Sequence, residues 1–177
     1  MLKRTLITAA LSMILWGCAP STQYGSGTQV DQGDAPVIID YYAAEVIRPG
    51  ATWRVYLHAQ DNDGDMKDIA SVLEQTGHAS YPTDVTTIKK KHSGEVAGYL
   101  FLRTPVDRNL TQDRFNLKVA VRDRQGNRSE WVELPLRFGR VPPEELPEKW
   151  KKVADRSLGA IAVEIRSSFE RGRKSRP

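Results

Sequence analysis

The 177-residue chain predicts a mainly β protein: two antiparallel sheets packed face to face, followed by a C-terminal helix. Three observations carry this expectation. Between residues 36 and 138, apolar side chains recur at every second position in short runs, the period of a half-buried strand. Clusters of Gly, Asp, Asn and Pro separate those runs. From residue 144 the apolar spacing changes to steps of three and four, the period of an amphipathic helix.

The N-terminal residues precede the sheet region and differ from it in kind. Residues 1–17 combine a basic start (Lys3, Arg4), an apolar centre over 6–16 and a small residue at 17, which is the make-up of an export signal. The apolar centre is too short to cross a bilayer as a helix, which needs about 20 residues. It ends in Leu15-Trp16-Gly17-Cys18, and Cys18 is the only cysteine. This stretch resembles the lipobox of bacterial lipoproteins. The resemblance implies cleavage before Cys18, acyl chains on Cys18 and anchoring in a membrane, and Ala19 in place of Asp favours the outer membrane. Removing Lys3 and Arg4 with the signal leaves 24 basic side chains against 22 acidic, a balance of +2. That is too weak to argue for nucleic acid as a partner. Residues 18–34 are rich in Ser, Thr, Gly, Gln and Pro and have little to bury, so they read as a tether reaching roughly 20–25 Å.

The domain proper is expected over 35–139. Pro36 opens a β-branched and aromatic run through Tyr42, suited to an edge strand. Residues 52–59 place Trp53, Val55, Leu57 and Ala59 on one face and Arg54, Tyr56 and His58 on the other. Further strands are expected at 69–74, 85–88, 96–103, 115–121 and 132–138, with a loop around Gly77 and Pro82. About seven strands over roughly a hundred residues are the signature of a sandwich with the immunoglobulin architecture. Ala59-Gln60-Asp61 with Asn62-Asp63-Gly64-Asp65-Met66, and Val121-Arg122-Asp123-Arg124-Gln125-Gly126-Asn127 before the last strand, resemble the immunoglobulin-like, PKD-like and cadherin-like modules of bacteria. That resemblance speaks for the fold, since such modules act as spacers, adhesins and binding platforms alike.

Residues 140–177 are expected to form an amphipathic helix with a basic tail. Trp150, Ala154, Leu158, Ile161, Ile165 and Phe169 fall on one helical stripe, while Lys151, Lys152, Asp155, Arg166 and Glu170 lie opposite. Such a stripe must be covered by the chain's own sandwich, by a protein partner or, less readily given its acidic residues, by a membrane interface, with Trp150, Ile161, Ile165 and Phe169 as the contact residues.

Two other clusters bear chemistry. Asp61, Asp63, Asp65 and Asp123 can supply hard oxygen ligands to calcium, as the cadherin-like resemblance implies, or can cap backbone amides in tight turns. They do not form an EF-hand loop, because the sixth position counted from Asp63 is Asp68 instead of Gly. Lys89-Lys90-Lys91-His92 reads as a solvated turn or as a contact for lipid phosphate or an anionic glycan. His58, His78 and His92 sit in no nucleophile, zinc or phosphate-loop motif. The expectation is thus a lipid-anchored, non-catalytic binding or scaffold subunit of a cell-envelope assembly. A calcium-binding adhesion module is the alternative, and an envelope enzyme, which would need a histidine beside a carboxylate in a cleft, comes last.

Overall fold

The computed structural model describes residues 33–169, apart from His78 and Pro143. The signal, Cys18, the tether up to Gln32 and the basic tail lie outside the described residues.

Alternating apolar residues build two sheets. The first contains β1 (Val37–Ala43), β3 (Thr52–Gln60), β7 (Glu95–Arg103) and β10 (Ser157–Ala160), in the order β1-β3-β7-β10. The second contains β2 (Val46–Ile47), β9 (Val132–Phe138), β8 (Arg114–Asp123), β4 (Met66–Gln75) and β5 (Ala79–Pro82), in the order β2-β9-β8-β4-β5. A two-residue strand, β6 (Thr86–Thr87), also pairs with β4. Register places like with like across each ladder. Trp53 faces Leu102 and Val55 faces Leu100 in the first sheet, while Leu73 faces Leu117 and Ile69 faces Val121 in the second. Because the period is two, each such pair commits both strands to the same buried face. The two inner faces meet in one apolar core in which Trp53, Leu57, Leu100, Leu117 and Leu136 are fully buried and Phe115 meets Phe138 edge-on. No disulfide bridges the sheets, so this packing alone joins them.

The connections confirm the expected two-layer architecture. β1, β3 and β7 occupy the positions of the first, second and fifth strands of an immunoglobulin sandwich, and β4, β8 and β9 those of the third, sixth and seventh. Several expectations require correction. Three strands were not anticipated: β2, β5 and β10. Pro82, expected in a loop, ends β5, which pairs only with β4 and so tolerates a residue without an N–H. β2 pairs in parallel with β9, because the chain leaves the first sheet after Ala43 and joins the second at Val46. Trp53 Nε1 secures that crossing by donating to the Ala44 carbonyl at 2.8 Å.

The largest correction concerns the C-terminal helix. Only α1 (Glu148–Lys151) is helical in the middle of this region. The chain then turns through Arg156 and continues as β10, parallel to β7. A step of four residues fits both a helix and a strand, so Ile161 and Ile165 satisfy either period. The step of three from Leu158 to Ile161, which favoured a helix, comes from a β-bulge between Ser157 and Gly159 that shifts the alternation by one. Beyond the bulge, Ile161, Ile165 and Ser167 are buried while Ala162, Glu164 and Arg166 are exposed, which is period two. Trp150, Ile161 and Ile165 are each at most 4% exposed within their own domain, so they are not a free stripe for a partner; Phe169 alone of the four is open, at 66%.

Close backbone contact makes this docking possible. The Tyr99 amide donates to the Arg156 carbonyl at 2.9 Å, and the Ile161 amide donates to Phe101 at 2.8 Å. A Cβ on Gly98 would stand 2.5 Å from that Arg156 oxygen, so only glycine leaves room there. Further on, the Asp113 carboxylate accepts from the Ser168 amide at 3.1 Å. We expect Gly98→Val to displace the segment and lower the urea midpoint, and Ile165→Ala to cost about 2–5 kcal/mol as a buried large-to-small change. Equal urea midpoints for wild type and both variants would contradict this docking.

Candidate functional site

The acidic residues fall in two neighbouring turns, and their oxygens are largely occupied by backbone amides. Asp123, 2% exposed, accepts from the amides of Gln125, Gly126 and Asn127 at 2.9, 2.7 and 2.7 Å through Oδ1, and from Asn127 Nδ2 at 2.8 Å through Oδ2. Gly126 takes φ 98° at the turn, a conformation glycine adopts freely. Asp61 Oδ2 accepts from the Asp65 amide at 2.8 Å, and Asp63 Oδ2 from the Asp34 amide at 2.6 Å. The Arg124 amide donates to the Asp65 carbonyl at 3.2 Å and ties the turns together. Among the described residues no group of three or more His, Cys, Asp or Glu is placed to hold a metal ion. Among the described residues the four expected carboxylates are thus not gathered on one centre: Asp123 and Asp61 cap amides of their own turns, Asp63 accepts from Asp34, and Asp65 Oδ2 lies 3.5 Å from Gln125 Nε2.

Asp61 and Asp65 are the exception to that satisfaction. Asp61 Oδ1 and Asp65 Oδ1 are buried and take no donor. Two ionised carboxylates are both acceptors and cannot bond to each other, whereas one shared proton lets them. Burial, and then the contact with Asp65, push the Asp61 carboxyl above its ordinary pKa despite the opposing backbone amide of Asp65.

Two of the three histidines lie among the described residues. His58 Nε2 lies 2.8 Å from Glu95 Oε1 on the outer face of the first sheet, with Glu95 61% exposed. Hydrogen bonds from His58 and Gln60 hold the Glu95 carboxyl below its usual range. His92 lies in the 3₁₀ turn Lys90–His92, and His78 is outside the described residues.

The feature that sequence reasoning missed is the outer side of β1. Val37, Ile39 and Tyr41 are 59, 50 and 44% exposed. Among the described residues β1 pairs with β3 alone, leaving its other edge open. A signal was present: Val37, Ile38, Ile39, Tyr41 and Tyr42 are apolar or aromatic on both faces of one strand, where a half-buried strand would alternate with polar residues. At the end of β1 a cavity of about 320 Å³ opens between β3 and the 141–146 segment, lined by Tyr42, Trp53, Tyr56 and Leu146 with Arg48 and Arg54. Burial, with the hydrogen bond and charge of Glu144, pushes the Tyr42 hydroxyl up to about 12, so it stays a neutral donor.

No family model matches this chain, and no curated protein matches it. Several solved structures are similar to it at a distance. A PKD domain of an M14-like peptidase from a Thermoplasmatales archaeon is 18% identical, with a TM-score of 0.40 over 61% of this chain and 99% of that one. A mutant of the SrpA adhesin from Streptococcus sanguinis is 14% identical, with a TM-score of 0.41 over 63% and 61%. The complex of zinc 2-glycoprotein and prolactin inducible protein from human seminal plasma gives 10% and 0.32 over 58% and 96%. Likenesses at these values carry no argument about function.

The raised Asp61 pKa fixes a pH dependence. A group that holds its proton more tightly when folded contributes stability below its ordinary value of 3.8 and loses it as pH rises through the raised value. Asp61→Asn, which keeps an acceptor for the Asp65 amide and adds a donor, is expected to melt above wild type at pH 7 in chelator. The gap should shrink as pH falls towards 4. A variant that melts below wild type at pH 7 would overturn the reading.

Proposed function

We propose that this chain is a lipid-anchored, non-catalytic binding module of a bacterial cell envelope, held through Cys18, most simply in the outer membrane, and engaging a protein partner by strand addition to β1. The observation that carries the contact reading is the open edge of β1 with Val37, Ile39 and Tyr41 exposed beside it. An extended partner segment can add hydrogen bonds along such an edge, while alternate side chains supply specificity. The cavity beside Tyr42 and Trp53 offers a place for one apolar side chain of the partner. Exposed edges carry an aggregation hazard in an isolated domain, and β1 is blunted by Pro36, Asp40 and a bulge at Ile39, which leave Tyr41 to Ala43 as its regular stretch. A partner strand would remove that hazard. The anchoring reading rests on the lipobox resemblance of Leu15-Trp16-Gly17-Cys18.

Two substitutions test the two halves separately. Cys18→Ser should move the protein from the membrane to the soluble fraction without changing its melting temperature; retention in membranes would refute anchoring through Cys18. Ile39→Lys in the otherwise intact lipoprotein should cut capture of the co-purifying envelope partner at least tenfold while leaving the melting temperature within a few degrees. Undiminished capture would exclude β1 as the contact.

A further inference from the structure

The edge of the first sheet opposite β1 carries a different kind of site. Between β10 and the loop over residues 86–92 lies a cleft of about 360 Å³. Its floor is apolar, formed by Ile69, Ile88, Val96 and Leu158, of which the first three are buried. Thr86, Thr87 and Ser157 also line it, as do Lys89, Lys91, His92 and Arg156. Lys89, Lys91 and Arg156 are exposed and form no ion pair within 4 Å among the described residues. Arg156 donates only a long bond, 3.4 Å, to the Ala97 carbonyl. Glu95 lines the adjoining opening together with Arg156 and attracts it electrostatically, but its hydrogen bonds go to His58 and Gln60.

Three permanent cations lining one cleft repel each other, and a multiply charged anion relieves that repulsion while accepting their hydrogen bonds. The lining hydroxyls add donors that suit phosphate oxygens. The cleft is larger than a bare anion requires. An apolar floor in a cation-lined cleft fits a phosphate joined to a sugar-sized or glycerol-sized body. We propose that this cleft binds a phosphate-bearing ligand, with Lys89, Lys91 and Arg156 holding the phosphate and the organic portion lying over Ile88, Val96 and Leu158. Sugar phosphates and phospholipid headgroups share this chemistry. Since β1 and β10 are opposite edges of one sheet, the site is independent of the partner contact at β1. It exists only when the C-terminal segment is docked, because that segment brings Arg156, Ser157 and Leu158 to the loop.

The test is calorimetric titration of the full-length lipoprotein in a neutral detergent with glucose 1-phosphate, dihexanoyl phosphatidic acid and uncharged glucose. Saturable binding of a phosphate probe, with none for glucose, is expected. Lys89→Gln with Lys91→Gln, and separately Arg156→Gln, should each weaken it at least tenfold, and Arg156→Lys should restore part of the loss. Arg124→Gln, a cation in a different turn, should leave it unchanged. The Arg156 backbone carbonyl, not its side chain, pairs with Tyr99, so unchanged melting of Arg156→Gln distinguishes lost binding from lost docking; should it melt lower, the double lysine variant decides. Tighter binding of the phosphatidic acid would assign a lipid headgroup, and tighter binding of the sugar phosphate a soluble or glycan source; both support the site. Absence of saturable binding by either phosphate probe, or equal affinity in wild type and both variants, would overturn the proposal.

Discussion

The carbonyl of Arg156 resting on Gly98, accepting the Tyr99 amide, is the contact on which the rest of this molecule depends. It attaches the C-terminal segment to β7 as a fourth strand of the first sheet. Ordering an extended segment costs about 1–2 kcal/mol of backbone entropy per residue, so a few hydrogen bonds alone would not hold it. The offset comes from burial at both of its ends. Ile161 and Ile165 enter the core, while Trp150 packs on Tyr56 with ring centroids 5.6 Å apart. Tyr56 lies on the outward face of β3 and is nevertheless 3% exposed. The segment thus covers one outer face, closes one sheet edge and completes the core.

That docking also divides the first sheet into two unlike edges. β10 ends the sheet with a short, bulged strand next to Arg156, a combination that discourages further pairing. At the opposite side β1 is seven residues long, is bulged at Ile39, exposes Val37, Ile39 and Tyr41, and among the described residues pairs on one side only, with β3. Among the described residues the second sheet has no comparable edge: β2 is two residues long, and β5 contains a proline. Among the described residues, open strand area is therefore concentrated at β1, and positive charge, only partly offset by Glu95, at the cleft beside β10.

The acidic turns show how the same residue types serve structure. Asp123 receives four hydrogen bonds from its own turn, which fixes the approach to β9 and leaves the carboxylate no further capacity of note. Asp68, buried to 3%, is matched by Arg122 Nε at 2.7 Å, so its charge is compensated across the β4–β8 ladder. Asp61 and Asp65 are left with buried oxygens facing no donor, a local cost tolerated where the two turns cross.

Much of the β-sandwich was legible in the sequence because side-chain alternation is a local property: Trp53, Val55, Leu57 and Ala59 declare one face of β3, and Leu134, Leu136 and Phe138 one face of β9, whatever their neighbours. The turns at Gly64 and Gly126 were legible for the same reason, since a positive φ is demanded within the turn itself. The C-terminal segment was not, because Ile161 and Ile165 are four apart, a spacing common to strand and helix, and the bulge at Ser157 reproduces the helical step of three. What decided between them was Gly98, some sixty positions away, whose missing side chain opens a place for a parallel strand. The cleft beside β10 was likewise invisible in sequence: Lys89, Lys91 and Arg156 form a constellation only after two distant stretches flank the same strand. Alternation and turn chemistry were determined by neighbours along the chain. Which face is covered, which edge stays open and where charge gathers were decided by tertiary structure, because each depends on whether one backbone can approach another.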